Sequence, residues 1–246
     1  MSSLTSIHHE SFNDYFRMID SFFTAVRKEL SPENLSGILA LRDTREAKPD
    51  GSYVTQGDLR VQEILFRAAR AHLASPYFVS EELKLTDAPP ENRATIVVID
   101  PIDGTENFTS GLPEWGVSIS CFRNGRHAGS LIGSPEIGVW LQSGFTLVRR
   151  FQSRIRGLSS SLTKEQILAA TEGYEYRILG CCVYNMIQVI RGSFQSFENP
   201  KGANSWDILG GLNLALEQGL TVTVEGKNYA GEYLPPTRKY RFKVGD

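Results

Sequence analysis

The chain has 246 residues, enough for one two-lobed domain or two small domains with a substantial core. Its 22% of charged residues is ordinary for a globular protein, and a net charge of −2 argues against a dedicated nucleic-acid-binding protein. No apolar run is long enough to span a bilayer, and residues 1–16 lack a signal-peptide pattern. We therefore expect a cytoplasmic protein that binds neither nucleic acid nor membrane.

Cysteine and histidine usage argues against a zinc site. Cys181 and Cys182 are neighbours, a poor geometry for a disulfide, and the sequence has neither a CxxC motif nor a Cys/His cluster. The four histidines are scattered, and two of them, His8 and His9, lie close to the N-terminus. A mechanism centred on histidine is accordingly not favoured.

The first predicted elements are helices. Aromatic and aliphatic residues recur at helical spacing over residues 12–30, and residues 31–34 (SPEN) favour a short helix begun by a serine cap and a proline. A turn is predicted at residues 49–51 (PDG). A second amphipathic helix is predicted over residues 59–73, and Thr55 with Asp58 three residues later resembles a capping box.

Short strands come next. Strands are predicted at residues 76–80 and 94–99, the second ending at Asp100. Residues 114–122 and 127–134 flank Asn124-Gly125, which is a strong hairpin signal. The remaining predicted elements are one or two strands around Gly144, helices at 163–170, 183–191 and 205–218, and strands at 220–226 and 239–245.

This mixture predicts an α/β (α+β) protein with layered sheets and helices, since there is no sustained βαβ rhythm. We divide it into an N-terminal lobe, residues 1–134, and a smaller C-terminal lobe, residues 135–246, which together form one catalytic unit. The absence of GxGxxG and GxxxxGK[ST] argues against binding of a dinucleotide or of a nucleotide by a P-loop.

The stretch VVIDPIDGTENF, residues 97–108, places two carboxylates at the end of an apolar strand. Asp100 and Asp103 can converge within one turn, where their repulsion favours a bound hard cation such as Mg²⁺ or Mn²⁺. Gly104 and Thr105 can then bring backbone N–H groups close to an anion. By itself, the segment is equally consistent with a strand followed by an Asp-Gly turn.

Three further acidic positions lie at the ends of predicted elements. Glu81-Glu82 follow a strand, Asp58 starts a helix and Asp207 lies in the first turn of another. Each has a simpler explanation: a solvated acidic pair for the first, and helix capping for the other two. Because all four sites occur without cysteine or histidine ligands, a shared oxygen-rich cation site becomes the better explanation.

The segments DGSYVTQGD, SEEL, DPIDGTENF and NSWDILGGLNLALEQG appear in the order and character of the inositol monophosphatase family. This superfamily of Mg²⁺-dependent, lithium-sensitive phosphatases includes fructose-1,6-bisphosphatase. The resemblance extends over roughly residues 10–225. It implies an αβαβα layered sandwich, often assembled as a homodimer, that hydrolyses a small phosphorylated metabolite by in-line attack of a metal-activated water.

The resemblance also implies roles for individual residues. Glu81, Asp100, the Ile102 carbonyl, Asp103 and Asp207 would hold two or three Mg²⁺ ions, for which Mn²⁺ could substitute. Asp58 would reach one metal directly or through water, and with Thr105 it would orient and deprotonate the attacking water. The phosphate and its leaving group would contact the residues Gly104, Thr105, Cys181, Glu198 and Asp207.

The region around the leaving group departs from the family pattern. GCCVYN (180–185) stands where the family often has Gly-Ser/Thr-Ala-Ala, so Cys181 either faces the substrate or packs the start of a helix. The glutamate that inositol-specific members place shortly before Trp-Asp is replaced either by Glu198, if the loop is longer by one residue, or by Pro200, and Gln195 replaces a usual aspartate. We therefore expect a sugar, cyclitol, inositol or histidinol phosphate. The alternatives are a nucleotide 3′-phosphatase of the same superfamily and a non-catalytic regulatory member.

Overall fold

The computed structural model describes residues 12–49, 51–83, 95–147, 151–160, 162–170 and 175–245; His8, His9 and Asp50 lie outside them. In chain order the elements are α1 (Phe12–Glu29), a 3₁₀ helix (Pro32–Asn34), α2 (Ser36–Leu39), β1 (Glu46–Ala47), β2 (Tyr53–Val54), α3 (Gln56–His72), β3 (Tyr77–Ser80), β4 (Thr95–Asp103), α4 (Thr105–Thr109), β5 (Gly116–Arg123), β6 (Arg126–Ser134), β7 (Val139–Gln142), β8 (Ile155–Leu158), α5 (Lys164–Ala170), β9 (Glu175–Ile178), α6 (Cys182–Arg191), β10 (Ser196–Ala203), α7 (Ser205–Glu217), β11 (Val222–Val224), β12 (Lys227–Asn228) and β13 (Tyr240–Gly245). No helix among these is long and apolar enough to cross a membrane.

The first large sheet has the strand order β3-β4-β5-β6-β7, in which β3 and β4 are parallel and the other neighbours antiparallel. Helices cover both of its faces. Val97 and Ile99 of β4 belong to the core cluster that contains α1 and α3, whereas Val98 belongs to the cluster that contains α6 and α7. Because successive side chains on a strand face opposite sides, a strand covered on both faces is apolar on both, as β4 is from Ile96 to Ile99.

The second large sheet has the order β12-β11-β13-β10-β8-β9, with β10, β8 and β9 parallel and the remaining pairs antiparallel. Helices α6 and α7 contact strands of both large sheets. The layers therefore run helices α1 and α3, first sheet, helices α6 and α7, second sheet, while α5 connects the parallel strands β8 and β9. The layered mixed fold is confirmed; the lobe boundary after residue 134 stays a prediction.

Most of the predicted elements are present within a residue or two. Pro32–Asn34 forms a 3₁₀ helix with Ser31 at the N-cap position, but the Ser31 side chain forms no capping hydrogen bond. The hairpin turn has positive φ at both Asn124 and Gly125. One strand, β7, precedes Gly144; no second strand forms through Leu147, and residues 148–150 lie outside the described residues. The prediction that β4 ends at Asp100 is wrong, because the strand continues to Asp103 through an irregularity in its pairing.

Candidate metal and phosphate site

The irregularity in β4 brings Asp100 and Asp103 to the same side of the first sheet. Asp100 pairs with Ser118 of β5 and Asp103 pairs with Gly116. An advance of three residues along β4 therefore corresponds to an advance of two along β5, so β4 has one extra residue here. On a regular strand, two residues that are three positions apart face opposite sides of the sheet. The extra residue of a bulge between them puts both side chains on the same side. Both acids then lie on the side of α6 and α7, while the Ile102 side chain is buried in the cluster with α1 and α3.

Three carboxylates from separate elements meet at this edge. Glu81, Asp100 and Asp207 each offer a carboxylate oxygen within 4.8 Å of the others. Glu81 follows β3 directly, and because β3 and β4 are parallel, their C-terminal ends lie side by side. Asp207 lies in the first turn of α7, where its Oδ2 accepts a hydrogen bond of 2.8 Å from the Asn204 backbone N–H.

Asp103 lies beside these three acids but turns one oxygen to the N-terminus of α6. Its Oδ2 accepts hydrogen bonds from the Val183 backbone N–H and from the Cys181 thiol, the latter at 3.0 Å. A carboxylate is stabilised at a helix N-terminus by the free N–H groups there. Asp103 thus joins the end of β4 to the start of α6 across the interface between sheet and helices.

The two oxygens of Asp58 have different partners. Oδ2 completes the predicted capping box of α3, accepting from the backbone N–H and the hydroxyl of Thr55 at 2.7 and 2.6 Å. Oδ1 accepts from the Thr105 hydroxyl at 3.4 Å, and that hydroxyl also lies 3.1 Å from the Ile102 carbonyl oxygen. The helix cap therefore fixes the carboxylate, and its second oxygen is directed to the start of α4.

Burial makes these acids costly as charged groups. It raises the pKa of Asp100 and of Asp207 well above the usual value, with the charge of Glu81 as the next cause. Burial likewise raises the pKa of Asp103 to about 6, although the hydrogen bond from Val183 opposes it. Asp100 is 1% exposed, and its Oδ1 has no hydrogen-bond partner among the described residues. An all-oxygen cluster with an unpartnered buried carboxylate oxygen fits a hard divalent cation.

Comparison with known proteins decides the family. The sequence profile described as "Inositol monophosphatase family" matches residues 24–240. The chain belongs to the inositol monophosphatase family. It is accordingly a phosphatase, a phosphoric monoester hydrolase, as the resemblance implied.

Individual relatives of this family member are distant. It is 26% identical over 194 residues to an inositol-1-monophosphatase of Mesorhizobium japonicum, covering 70% of this chain and 72% of the relative. It is also 26% identical over 186 residues to a fructose-1,6-bisphosphatase/inositol-1-monophosphatase of Thermotoga maritima, covering 69% and 70%.

Solved structures show the same fold. A Thermotoga maritima IMPase matches with a TM-score of 0.71 at 21% identity, covering 93% of this chain and 92% of that one. An IMPase/NADP phosphatase complexed with Mg²⁺ and phosphate matches with a TM-score of 0.75 at 18% identity, covering 94% and 91%.

Gly104 lies where two backbone segments of this family member approach closely. Its φ is +82°, and a Cβ added there would lie 2.9 Å from the Cβ of Cys181. A side chain at this position would be strained by the backbone conformation and would also collide. The glycine therefore lets the start of α4 lie against the segment that leads into α6.

Cys181 caps α6. It is 2% exposed, its sulfur accepts a hydrogen bond from the Tyr184 backbone N–H at 3.2 Å, and its thiol donates to Asp103. The sequence left two interpretations of Cys181, which either faces the substrate or packs the start of a helix, and these contacts agree with the second. Cys181 also lines a cavity that reaches Asp103 and Asp207. Contact of Cys181 with a substrate stays a prediction.

Glu198 lies next to that cavity on β10. Phe197 and Asn199, its neighbours on the strand, line the cavity. Because adjacent residues on a strand face opposite sides, the Glu198 side chain faces the side opposite to theirs. Pro200, the other candidate for the family's glutamate position, also lies on β10. The substrate contact predicted for Glu198 stays a prediction.

Two residues near the site were missed by the sequence analysis. The Lys48 ammonium donates to Glu81 at 2.7 Å and to Glu82 at 2.8 Å. Burial lowers its pKa, but the charges of the two glutamates outweigh this and raise it. Lys48 and Glu81 are 33 positions apart, and no local pattern in the sequence predicts the pair.

Asn107 was the second residue missed. Its side-chain amide donates to the backbone carbonyls of Glu114 and Leu179, both at 2.7 Å. It therefore ties α4 to the segment that precedes α6. Its place inside DPIDGTENF was the only available signal.

Proposed function

We propose that this chain is a Mg²⁺-dependent phosphomonoesterase that hydrolyses a small polyol-type phosphate by in-line attack of water. The observation that carries the proposal is the convergence of the carboxylates of Glu81, Asp100 and Asp207, together with the buried and unpartnered Oδ1 of Asp100. Buried carboxylates without enough hydrogen-bond donors need positive charge from elsewhere. A phosphate ester needs the same positive charge for its oxygens.

Glu81, Asp100, the Ile102 carbonyl, Asp103 and Asp207 would hold two or three Mg²⁺ ions, or Mn²⁺ in their place. When bound, such cations neutralise phosphoryl oxygens and lower the pKa of an attacking water. Support for the set comes from its chemistry, since every donor is a carboxylate or carbonyl oxygen.

Asp58 and Thr105 would orient the attacking water and take its proton. The Thr105 hydroxyl donates to Asp58 Oδ1, so the two side chains form a relay of the kind that a general base uses. The backbone N–H groups of Gly104 and Thr105 would hold the phosphate, an arrangement that the glycine at this position makes sterically accessible. Phosphoryl transfer depends mainly on such positioning and on charge neutralisation.

The substrate class is proposed from relatives. Besides the two phosphatases described above, a histidinol-phosphatase of Chlorobaculum parvum is 30% identical over 97 residues, 39% of this chain. A solved dual specific IMPase/NADP phosphatase is bound with D-inositol-1-phosphate. These relatives favour a sugar, cyclitol, inositol or histidinol phosphate.

A nucleotide phosphate is the second candidate. One solved neighbour is an IMPase/NADP phosphatase complexed with NADP and Ca²⁺, with a TM-score of 0.74 at 18% identity. A panel that contains polyol phosphates and nucleotide 2′- and 3′-phosphates separates the two candidates by their kcat/KM.

The decisive experiment is hydrolysis of a generic phosphate ester by the purified chain with Mg²⁺ and with a chelator. We expect turnover that depends on Mg²⁺ and is lost in Asp100→Asn, which keeps the side-chain volume and removes the charge. Lys227→Met, on the exposed strand β12, is the matched control and should retain turnover. Ligand binding without metal-dependent turnover would instead favour a non-catalytic regulatory member.

A homodimer and a cytoplasmic location complete the proposal. Both rest on the family resemblance and on composition. Light scattering of the purified protein tests the first, and fractionation of cells tests the second.

A further inference from the structure

Two lysines line the cavity that reaches Asp103 and Asp207. The two aspartates come from the ends of β4 and the start of α7, whereas Lys201 on β10 and Lys239 immediately before β13 line the same cavity. The rest of the lining is polar or small, with the residues Ser159, Ser160, Asn185, Asn199 and Gly202 among them. The lining therefore combines two acidic residues with two lysines.

Lys201 lies in a bulge of β10. The pairing of β10 with β13 changes register between Asn199 and Ala203. Asn199 Oδ1 accepts from the backbone N–H groups of Lys201 and Gly202, at 3.1 and 2.9 Å. These bonds stabilise the bulged residues, and bulges commonly redirect a side chain beside a functional site.

Gly202, the residue after Lys201, lies against Lys239. Its φ is +94°, and a Cβ added there would lie 3.2 Å from the Cβ of Lys239. The stem of Lys239 therefore packs against the residue that follows Lys201. Lys201 and Lys239 therefore lie on adjacent backbone segments.

Neither Lys201 nor Lys239 forms an ion pair with a carboxylate of the described residues. Lys48, at the other side of the acidic cluster, contrasts with them because it pairs with both Glu81 and Glu82. The lining thus includes two lysine side chains that no described residue neutralises.

We infer that Lys201 and Lys239 form a subsite for a second anionic group, carried by the leaving group of the phosphate ester. The inference rests on the proposed phosphatase function, and it narrows the substrate to esters whose alcohol portion itself bears a carboxylate or a further phosphate. The transferred phosphate has its own proposed donors at Gly104 and Thr105. Both lysines are exposed, so a neutral polyol would leave their ammonium groups to water, whereas an anionic leaving group gains a charge-assisted contact with each.

Matched pairs of esters test this subsite. Glycerol 2-phosphate and 2-phosphoglycerate differ only by a hydroxymethyl group or a carboxylate on the leaving group. Fructose 1-phosphate and fructose 1,6-bisphosphate provide the corresponding pair for a second phosphate. We define the preference as kcat/KM for the anionic member of a pair divided by kcat/KM for the neutral member, measured with Mg²⁺. The first pair tests a carboxylate on the leaving group, and the second pair tests a further phosphate.

We expect the wild-type chain to prefer the anionic member of at least one pair. Lys201→Met and Lys239→Met should each reduce that preference by about fivefold, the size of one partly exposed charge pair, mainly through KM for the anionic ester. Turnover of the neutral ester should change little. Lys201→Arg should retain the preference, and added salt should weaken it in the wild-type chain.

The outcomes separate this inference from the proposed function. Hydrolysis of the neutral esters without any preference for the anionic ones would overturn the subsite and leave the phosphatase proposal intact. An equal loss of preference in Lys227→Met, whose lysine lies on β12, would show a general effect of surface charge and would also overturn it. If neither these four esters nor the generic phosphate ester is hydrolysed with Mg²⁺ present, both proposals fail.

Discussion

Thr55→Val is expected to weaken the fold and the proposed catalytic relay together. Thr55 and Asp58 are each 1% exposed. The Thr55 hydroxyl accepts a hydrogen bond from the Asp58 backbone N–H at 3.2 Å and donates one to Asp58 Oδ2 at 2.6 Å. Valine has nearly the same shape as threonine but lacks the hydroxyl, so both hydrogen bonds are lost without a cavity.

The cost can be worked out from these two contacts. Loss of an N-cap side chain costs about 1 kcal/mol of unfolding free energy. Loss of a buried hydrogen bond to a carboxylate costs about 2 kcal/mol more, because the acceptor is left under-satisfied. We therefore expect the free energy of unfolding to fall by about 3 kcal/mol. The backbone N–H of Thr55 still holds Oδ2, so the chain should fold.

Urea unfolding at constant pH measures the change, with Thr55→Ser as the control that keeps the hydroxyl. Because Asp58 Oδ2 loses a donor, its carboxylate should hold Thr105 less well, and kcat should fall about tenfold with little change in KM. Serine should restore most of both quantities. If valine costs less than about 1 kcal/mol, or if serine costs as much as valine, the role of the hydroxyl is refuted.

Three further predictions concern single residues. Gly104→Ala should lower turnover and cost about 1–3 kcal/mol more in urea unfolding than Gly111→Ala, which has a similar positive φ but nothing within 4 Å of an added Cβ; equal costs would show that the close contact is unimportant. Asp103→Asn should abolish Mg²⁺-dependent turnover and leave the circular dichroism spectrum unchanged, because the amide oxygen can still accept from the α6 N-terminus; near-normal activity would contradict its assignment as a metal ligand. Burial lowers the pKa of His127 to about 4, so the folded state resists protonation and stability is lost as pH falls from 6.5 towards 4. Between pH 7.5 and 5 the wild-type chain should lose about 2 kcal/mol more unfolding free energy than His127→Gln, and parallel losses would refute the assignment.

Burial lowers the pKa of His127 although a hydrogen bond with the backbone of Gly129 raises it. Glu217 Oε1 lies 3.6 Å from Nδ1, which would favour the protonated ring. The ring is largely buried, however, and its Nε2 lies 2.8 Å from the Ser130 hydroxyl, a partner that neutral histidine satisfies equally well. The pH dependence of stability therefore reports on the desolvation of this residue.

The elements of this chain were largely predictable because their signals are local. Thr55 and Asp58 form a capping box through bonds that span three residues, and Asn124-Gly125 turns the hairpin because both residues tolerate positive φ. The order of the acidic segments was also sufficient to indicate the family. The carboxylates of Asp100 and Asp207 were expected to meet, and they do.

What the sequence could not supply depends on residues distant along the chain. The end of β4 was misjudged because its bulge exists only in the pairing with β5, and that bulge turns Asp103 to the same side as Asp100. Lys48 reaches the acids only when the β1–β2 hairpin lies against the end of β3.

The sequence by itself therefore determined the longer helices, most strands of the first sheet, the family and the oxygen-rich chemistry of the site, since side-chain type and local hydrogen bonds decide those. Only the tertiary structure decided which charges are neutralised. Lys48 is paired, whereas Lys201 and Lys239 are not paired by any described residue. Desolvation and distances across sheets set that difference, and neither follows from spacing along the chain.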